Sequence, residues 1–296
     1  MDLRIQTSVK ADVFTALFQT LRQFSECINI QFRPECMYIQ AMDNARISVI
    51  EITLPSAWFS QYTCLIPVTL GIHTGVLYKI LTARDKSQTI HIQYDLAHSS
   101  DRLMVHMMIP TAVVAPPATA VDDITDTLAA TSISTKVPRS TDPDRTIFDK
   151  HFDTPLIDLE CDTMAIPEME YQVEITLPST HFATLISQMR GFGDNLDIHC
   201  NEERVTMSTM TTESGKMTVD VDNEDLIGFA IDEGQIIHMC FALSPLHNIS
   251  QYCKISKEVD LKLHTDTPMR LEYRLEDGGL AKYYLAPKLG DNDDDA

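Results

Sequence analysis

The chain has 296 residues, enough for two ordinary domains, and its 43 acidic residues against 23 basic ones give a formal charge of −20. That surplus argues against a protein that grips nucleic acid over its whole surface, while leaving room for a local basic face. With 44% hydrophobic residues each half can bury its own core without a disulfide or a structural metal, and no apolar run approaches the roughly 20 residues of a membrane helix.

Near the N-terminus, "VFTALFQTLRQF" places Phe14, Leu17, Phe18 and Leu21 at i, i+3, i+4 and i+7, which predicts an amphipathic helix. "EITLPS" at 51–56 reads as strand and runs into "AWFSQYTC", which has no helical spacing. "TGVLYKILTAR" (74–84) predicts a second helix. "TIHIQY" (89–94) and "RLMVHMMI" (102–109) alternate with period two, as half-buried antiparallel strands do. From 111 to about 145 the pattern collapses into Thr, Ala, Ser, Asp and Pro, and the segment reads as a mobile insertion, with a short helix over 122–130 as the lesser reading. "TPLIDLECDTMAIPEMEY" (154–171), bounded by Pro155 and Pro167, fits an extended connector laid along a surface.

"EITLPS" then returns at 174–179, but here it leads into Phe182, Leu185, Ile186 and Met189 at helical spacing. The two hexamers therefore sit in different local structure. The better match lies at an offset of 168 residues, which sets Phe14 over Phe182, Leu17 over Leu185, Phe18 over Ile186, Leu21 over Met189, Arg22 over Arg190 and Phe24 over Phe192. We read this as a duplication. "RVTMST" (204–209), "KMTVDVD" (216–222), "EVDLKLH" (258–264) and "MRLEYRL" (269–275) are further strands. "SPLHNISQYCKI" (244–255) is a helix with Ser244 as N-cap and Pro245 at its first position. "GDNDDDA" closes the chain as an acidic tail.

Each half is thus an α+β module, two short helices set among antiparallel strands whose sheet has one face to cover. Seven cysteines (27, 36, 64, 161, 200, 240 and 253) form no CxxC pair, and an odd count with no leader-like segment leads us to expect free thiols in a reducing compartment. No GxSxG, HExxH, phosphate loop or paired Cys/His spacing is present, and "GFGDNL" (191–196) lacks the third glycine of a dinucleotide fingerprint. No enzyme, catalytic residue, metal or cofactor is expected. "NIS" (248–250) matches a glycosylation sequon but falls on a predicted helix, and we read it as incidental.

"KYYLAPKL" (282–289) before an acidic tail resembles the DNA sliding clamps of the proliferating cell nuclear antigen family. "QAMDNARISVIEITL" (40–54), "LGIHTGVLYKIL" (70–81), the connector and "TPMRLEYRLEDGGLAKYYLAPK" (267–288) extend the resemblance in family order over all but the insertion. It implies two similar clamp domains, helix pairs packed on antiparallel sheets, at 1–156 and 169–290, with the insertion at about 111–145, an interdomain connector at 157–168 and the tail at 291–296. Three chains would close head to tail into a ring around double-stranded DNA, held without sequence preference. One edge strand would be "KMTVDVD" and the other would lie near 148–156, where Pro155 is an awkward strand residue.

The resemblance also implies two functional surfaces. Facing DNA would be Lys10, Arg22, Lys79, Arg84, Arg190 and Lys254, with Lys257 a further candidate. The family's basic positions are thinned here, with Ala11 and Asp12 on the first helix and Thr184 and Ser187 on the third. Read from the residues alone, any one of these cations is a solvated surface charge. A pocket for motifs of polymerase, nuclease and ligase clients would be built from Met42, Arg46, Ile47 and Val49, from Met164, Ile166 and Pro167 in the connector, and from Pro268, Tyr284, Ala286 and Pro287. Without the resemblance Met42, Ile47 and Ile166 read as core. Arg46 stands where a neutral or weakly basic residue is usual, and Glu202 where eukaryotic members carry a modifiable lysine. The resemblance further implies an ATP-driven clamp loader and a location in the nucleus, or at a cytoplasmic replication site if the source is viral. A subunit of a heterotrimer, or a scaffold that does not encircle DNA tightly, is the alternative that the thin basic lining favours.

Overall fold

The computed structural model describes residues 1–96, 101–110, 147–160, 163–213, 215–251 and 253–288. The insertion over 111–145 with its lesser helix, Cys161 and the tail at 291–296 lie outside the described residues. The first half runs β1 (Asp2–Ile5), α1 (Ser8–Phe24), β2 (Cys27–Phe32), β3 (Cys36–Met42), β4 (Ser48–Pro55), a 3-10 turn (Ser56–Trp58), β5 (Gln61–Thr63), β6 (Val68–His73), α2 (Thr74–Thr82), β7 (Thr89–Gln93), β8 (Arg102–Met108) and β9 (Lys150–Pro155). The second half repeats that order with β10 (Val173–Pro178), α3 (Ser179–Met189), β11 (Asn195–Cys200), β12 (Arg204–Thr211), β13 (Gly215–Asp222), a 3-10 turn (Asn223–Asp225), β14 (Gly228–Ile231), β15 (Ile237–Ala242), α4 (Leu243–Ser250), β16 (Glu258–Leu263), β17 (Met269–Arg274) and β18 (Leu280–Leu285). A third 3-10 turn, Glu276–Gly278, joins β17 to β18.

The offset read from the helices holds in the two strands that follow each first helix, since Cys27 and Asn195, and Cys36 and Arg204, open corresponding strands 168 residues apart. The two hexamers differ in their surroundings as expected. The first closes β4 and enters a 3-10 turn, whereas the second lies in β10 and feeds α3. The helical spacing does what it predicts: Phe14, Leu17, Phe18 and Leu21 of α1 and Phe182, Ile186 and Met189 of α3 are buried, each stabilising the core by about 1.5–3 kcal/mol. The fourth helix departs from expectation. Helix α4 starts two residues early, at Leu243, because the extended Ala242 at the end of β15 takes the N-cap place and the Leu243 amide bonds the Asp194 carbonyl at 2.8 Å. Ser244 and Pro245 are then its second and third residues, where a missing N–H costs no helical hydrogen bond. The helix also ends at Ser250 and does not reach 255.

Among the described residues all strand pairings are antiparallel and fall into three sheets, in the orders β5-β1-β7-β8-β9, β14-β10-β16-β17-β18-β4-β3-β2-β6 and β13-β12-β11-β15. The duplication organises them. In the nine-stranded sheet, β14-β10-β16-β17-β18 is the second-half copy of the five-stranded sheet, and β4-β3-β2-β6 is the first-half copy of the four-stranded one. The two halves of the chain meet where β18 pairs with β4, and there Tyr283, Ile50 and Ile52 are fully buried. Among the described residues the matching strands β9 and β13 are instead open edges of their sheets. Pro155 is accommodated as the last residue of β9, an edge strand, where its missing donor is tolerated.

Candidate functional site

The helices form one layer. α1 packs on α2, α3 packs on α4, and α1 also touches α4 across the two halves, while the helices' apolar stripes rest on the sheets. A chain with 43 carboxylates places a single one, Asp12, among the residues of these four helices. The layer is therefore locally basic on a strongly acidic molecule. Arg22, Lys79, Arg190 and Lys254 are exposed on or just after the helices, as is Lys257, and none of the five has a carboxylate partner among the described residues. Arg22 lies over the Tyr78 ring at 4.1 Å, an arrangement that orients the guanidinium and leaves its edge free. His247 of α4 has its pKa lowered by burial and then by the charge of Arg190.

Two of the expected DNA-facing cations are otherwise engaged. The Arg84 side chain is 4% exposed, is ion-paired to Asp12, and donates from Nη1 to the carbonyls of Asp85, Lys86 and Gln88 at 3.2–3.3 Å. It closes the turn after α2. Lys10 bonds the Trp58 carbonyl at 2.7 Å, lies over the Trp58 ring and pairs with Asp277, tying the start of α1 to the β17–β18 turn of the other half.

On the opposite face of the nine-stranded sheet the connector crosses from one half to the other. It is anchored first at the β6 edge, where Ile157 and Gly71 form a bridge and the Ile157 amide bonds the Gly71 carbonyl at 2.8 Å. A Cβ on Gly71 would fall 2.1 Å from the Ile157 oxygen, so only glycine permits that approach. Asn29 of β2 then donates to the Glu160 carbonyl at 3.0 Å. Gln40 of β3 clamps Met164 from both sides, donating to its carbonyl at 2.8 Å and accepting from its amide at 2.7 Å. Where the connector ends, the Tyr171 ring lies 4.7 Å from the guanidinium of Arg270 on β17. Between Gln40 and Arg270 the chain spans β4 and β18. A groove of about 230 Å³ opens between it and β2 and β3, lined by Asn29, Gln31, Met42, Leu159 and Thr163 among others.

The residues expected to form the pocket gather here to different degrees. Met42, Val49 and Tyr284 stand opposite one another in a single cross-strand row over β3, β4 and β18. The β3–β4 turn is held by Asp43, which accepts the amides of Ile47 and Ser48, and it puts Arg46 at φ 58 and leaves Ile47 40% exposed. Ala286 donates its amide to the Ile47 carbonyl at 3.0 Å. Lys288 then bonds the Cys240 carbonyl of β15, so Pro287 lies between two anchored residues. Met164 is exposed beside Gln40, Ile166 is half-buried, and Pro167 is exposed. Pro268 precedes Met269, which pairs with Leu285. Burial, then the charge of Glu51, pushes the Tyr284 phenol up to about 12, so it presents a neutral hydroxyl. Ile47, read from the residues alone as core, is instead surface.

Sequence reasoning missed the polar clamps, Asn29, Gln40 and Gln31, whose amide donates to the Thr163 hydroxyl at 3.4 Å. Alternate residues of half-buried strands are ordinarily solvated, and nothing local marks these as holding a connector more than a hundred residues away. Gly71 carried a signal, since a lone glycine inside a strand pattern often marks a close backbone approach. Among the described residues no group of three His, Cys, Asp or Glu side chains is placed to hold a metal ion.

Residues 3–111 match the family model of the proliferating cell nuclear antigen N-terminal domain, and residues 165–288 match that of its C-terminal domain. Among solved structures the chain is similar to the crystal structure of Proliferating Cellular Nuclear Antigen from Entamoeba histolytica. The two share 20% identity with a TM-score of 0.76 over 97% of this chain and 98% of that one, a likeness of fold.

Proposed function

The chain belongs to the proliferating cell nuclear antigen family and is a sliding clamp, not an enzyme, and from that premise we propose that three copies close head to tail around duplex DNA and recruit replication proteins through the connector face. The observation that carries the proposal is the pair of open edges. The five-stranded sheet ending at β9 and the four-stranded sheet ending at β13 are copies of the two parts of the intact nine-stranded sheet. Joining them between chains makes a second sheet of the same kind, which uses both exposed edges and leaves none at the seam.

Around the resulting hole stand the helices, with Arg22, Lys79, Arg190 and Lys254 offering diffuse charge to phosphates. Screening over about 8–10 Å lets that lining coexist with an acidic exterior. Retention on DNA then follows from topology, and the direct interactions can be weak enough to slide. Clients would bind as extended segments beside the connector, plugging an apolar side chain over Met42, Ile47 and Val49. An ATP-driven loader would open the ring.

The removal of Lys10 and Arg84 from the lining favours one second reading, a subunit that closes only with other clamp chains. The solution mass of the purified chain over a wide concentration range separates the two. A stable mass near three times 33.3 kDa, with retention on circular DNA that is lost when the circle is cut, supports the homotrimer. A monomer at every concentration overturns it in favour of missing partner subunits.

A further inference from the structure

Resting on the trimer reading, we infer the residue-level register of the intersubunit joint, in which Asp153 of one copy pairs with Lys216 of the next and Phe152 packs on Met217. The internal duplication supplies the register. Arg4 and Thr176 are equivalent, because the carbonyl of each accepts the amide two residues past a 3-10 turn, from Ser60 and Ile227 respectively. Across the strands from them, Arg4 faces His91, which faces His106, which faces His151. In the intact sheet Thr176 faces Asp260, which faces Glu272, which faces Lys282. So His151 occupies the place of Lys282, Phe152 that of Tyr283 and Asp153 that of Tyr284.

On the other edge, Glu26 and Asp194 are equivalent, since each carbonyl precedes its strand and accepts the amide of the first helical residue, Thr74 or Leu243. The constant offset then carries Gln40 onto Ser208, Ala41 onto Thr209 and Met42 onto Met210. Their partners Glu51, Ile50 and Val49 fall on Thr218, Met217 and Lys216.

Within the chain Lys282 faces Glu51, Tyr283 faces Ile50 and Tyr284 faces Val49. Between chains the same geometry sets His151 against Thr218, Phe152 against Met217 and Asp153 against Lys216. The fit is physical as well as formal. Phe152 and Met217 point to the helix side and are only partly buried, whereas their counterparts Tyr283 and Ile50 are fully buried, so the joint completes an unfinished core layer. Asp153 and Lys216 point outward with opposite charge, and Lys216 has no carboxylate partner among the described residues. Asp153 already lies 3.5 Å from Arg102, and Lys216 would add a second cation on its open side.

The test is a charge swap read by light scattering at low ionic strength. Asp153→Lys and Lys216→Asp should each raise the concentration at which the trimer falls apart, by about five-fold or more, and the double variant should return it towards the parent. Lys216→Asp leaves Arg102 undisturbed, which separates the joint from the Asp153–Arg102 ion pair. A trimer indifferent to both single changes, or a double variant weaker than either, overturns the register while leaving the ring intact. A parent chain that never trimerises overturns the ring reading and the joint together.

Discussion

Arg84 and Arg190 stand at the ends of helices in the same layer, yet one is sealed among carbonyls and the other is exposed. Arg84→Ala should therefore lower stability by about 2 kcal/mol, because a buried network loses its cation and leaves acceptors unpaired. It should change DNA retention only in proportion to the folded fraction. Alanine at Arg22, Lys79, Arg190 or Lys254 should leave stability within about 0.5 kcal/mol and make the slope of log affinity against log salt shallower by about 0.9 for each phosphate no longer neutralised. Urea midpoints and binding at several salt concentrations check both, and an Arg84 variant as stable as the parent would refute the division. The division was not legible in the sequence. The partner Asp12 lies 72 residues away and the other acceptors are backbone oxygens, whereas Arg22 and Arg190 declared themselves by recurring at the same place beside a repeated apolar stripe.

Strand β9 shows how an element can be fixed by its two faces differently. Inward, Thr154 is buried and Phe152 half-buried; outward, His151 meets His106 with their Nδ1 atoms 2.8 Å apart, and Asp153 meets Arg102. One Nδ1 must donate and the other accept, so the bond survives with the pair neutral or singly protonated and fails when both are charged. Among the described strand residues the other charged or titratable groups on this outer face are Asp2 and Arg4 of β1, His91 of β7, Arg102 of β8 and Asp153 of β9. Burial would raise Asp2, but hydrogen bonds from Gln93 and His91 and the charges of His91 and Arg4 outweigh it and hold it low. The His106 pKa is lowered from 6.5 by burial, then by His151 and His91. A histidine whose folded pKa is depressed binds fewer protons folded than unfolded, so its stabilisation is present above pH 6.5 and is lost as pH falls through the folded value. Amide exchange in β9 should accelerate as pH falls from about 7.5 to about 5.5, after correction for intrinsic rates, and His151→Gln should blunt that change. An unaltered pH response in the variant would exclude the histidine pair. The strand itself was legible only as a neighbourhood around 148–156, since Pro155 obscured it. "KMTVDVD" showed its alternation plainly, and the start of α4 was misread because Ser244 imitates a cap that the preceding strand supplies.

At the scale of the whole molecule the chain contains one seam, β18 on β4, and in the proposed ring would form a second version of it, β9 on β13, between chains. The first is closed by six residue pairs with Tyr283, Ile50, Ile52 and Leu285 fully buried, and the connector straps its outer face. Opposite this strap Lys10 bridges α1 to the β17–β18 turn, a second tie between the halves. The second seam would join separate chains with neither the strap nor the Lys10 tie across it, so a ring under strain should part there and not within a chain. This asymmetry was hidden from a sequence reading, because the duplication makes the two seams look alike until the connector and Lys10 are placed. It sets a prediction that mass action makes testable. Amides of β9 and β13 should exchange faster as the protein is diluted through its dissociation range, while those of β4 and β18 keep one rate at every concentration. Equal concentration dependence in both pairs would mean that the halves separate with the subunits, and that the nine-stranded sheet is not the rigid body on which the ring is built.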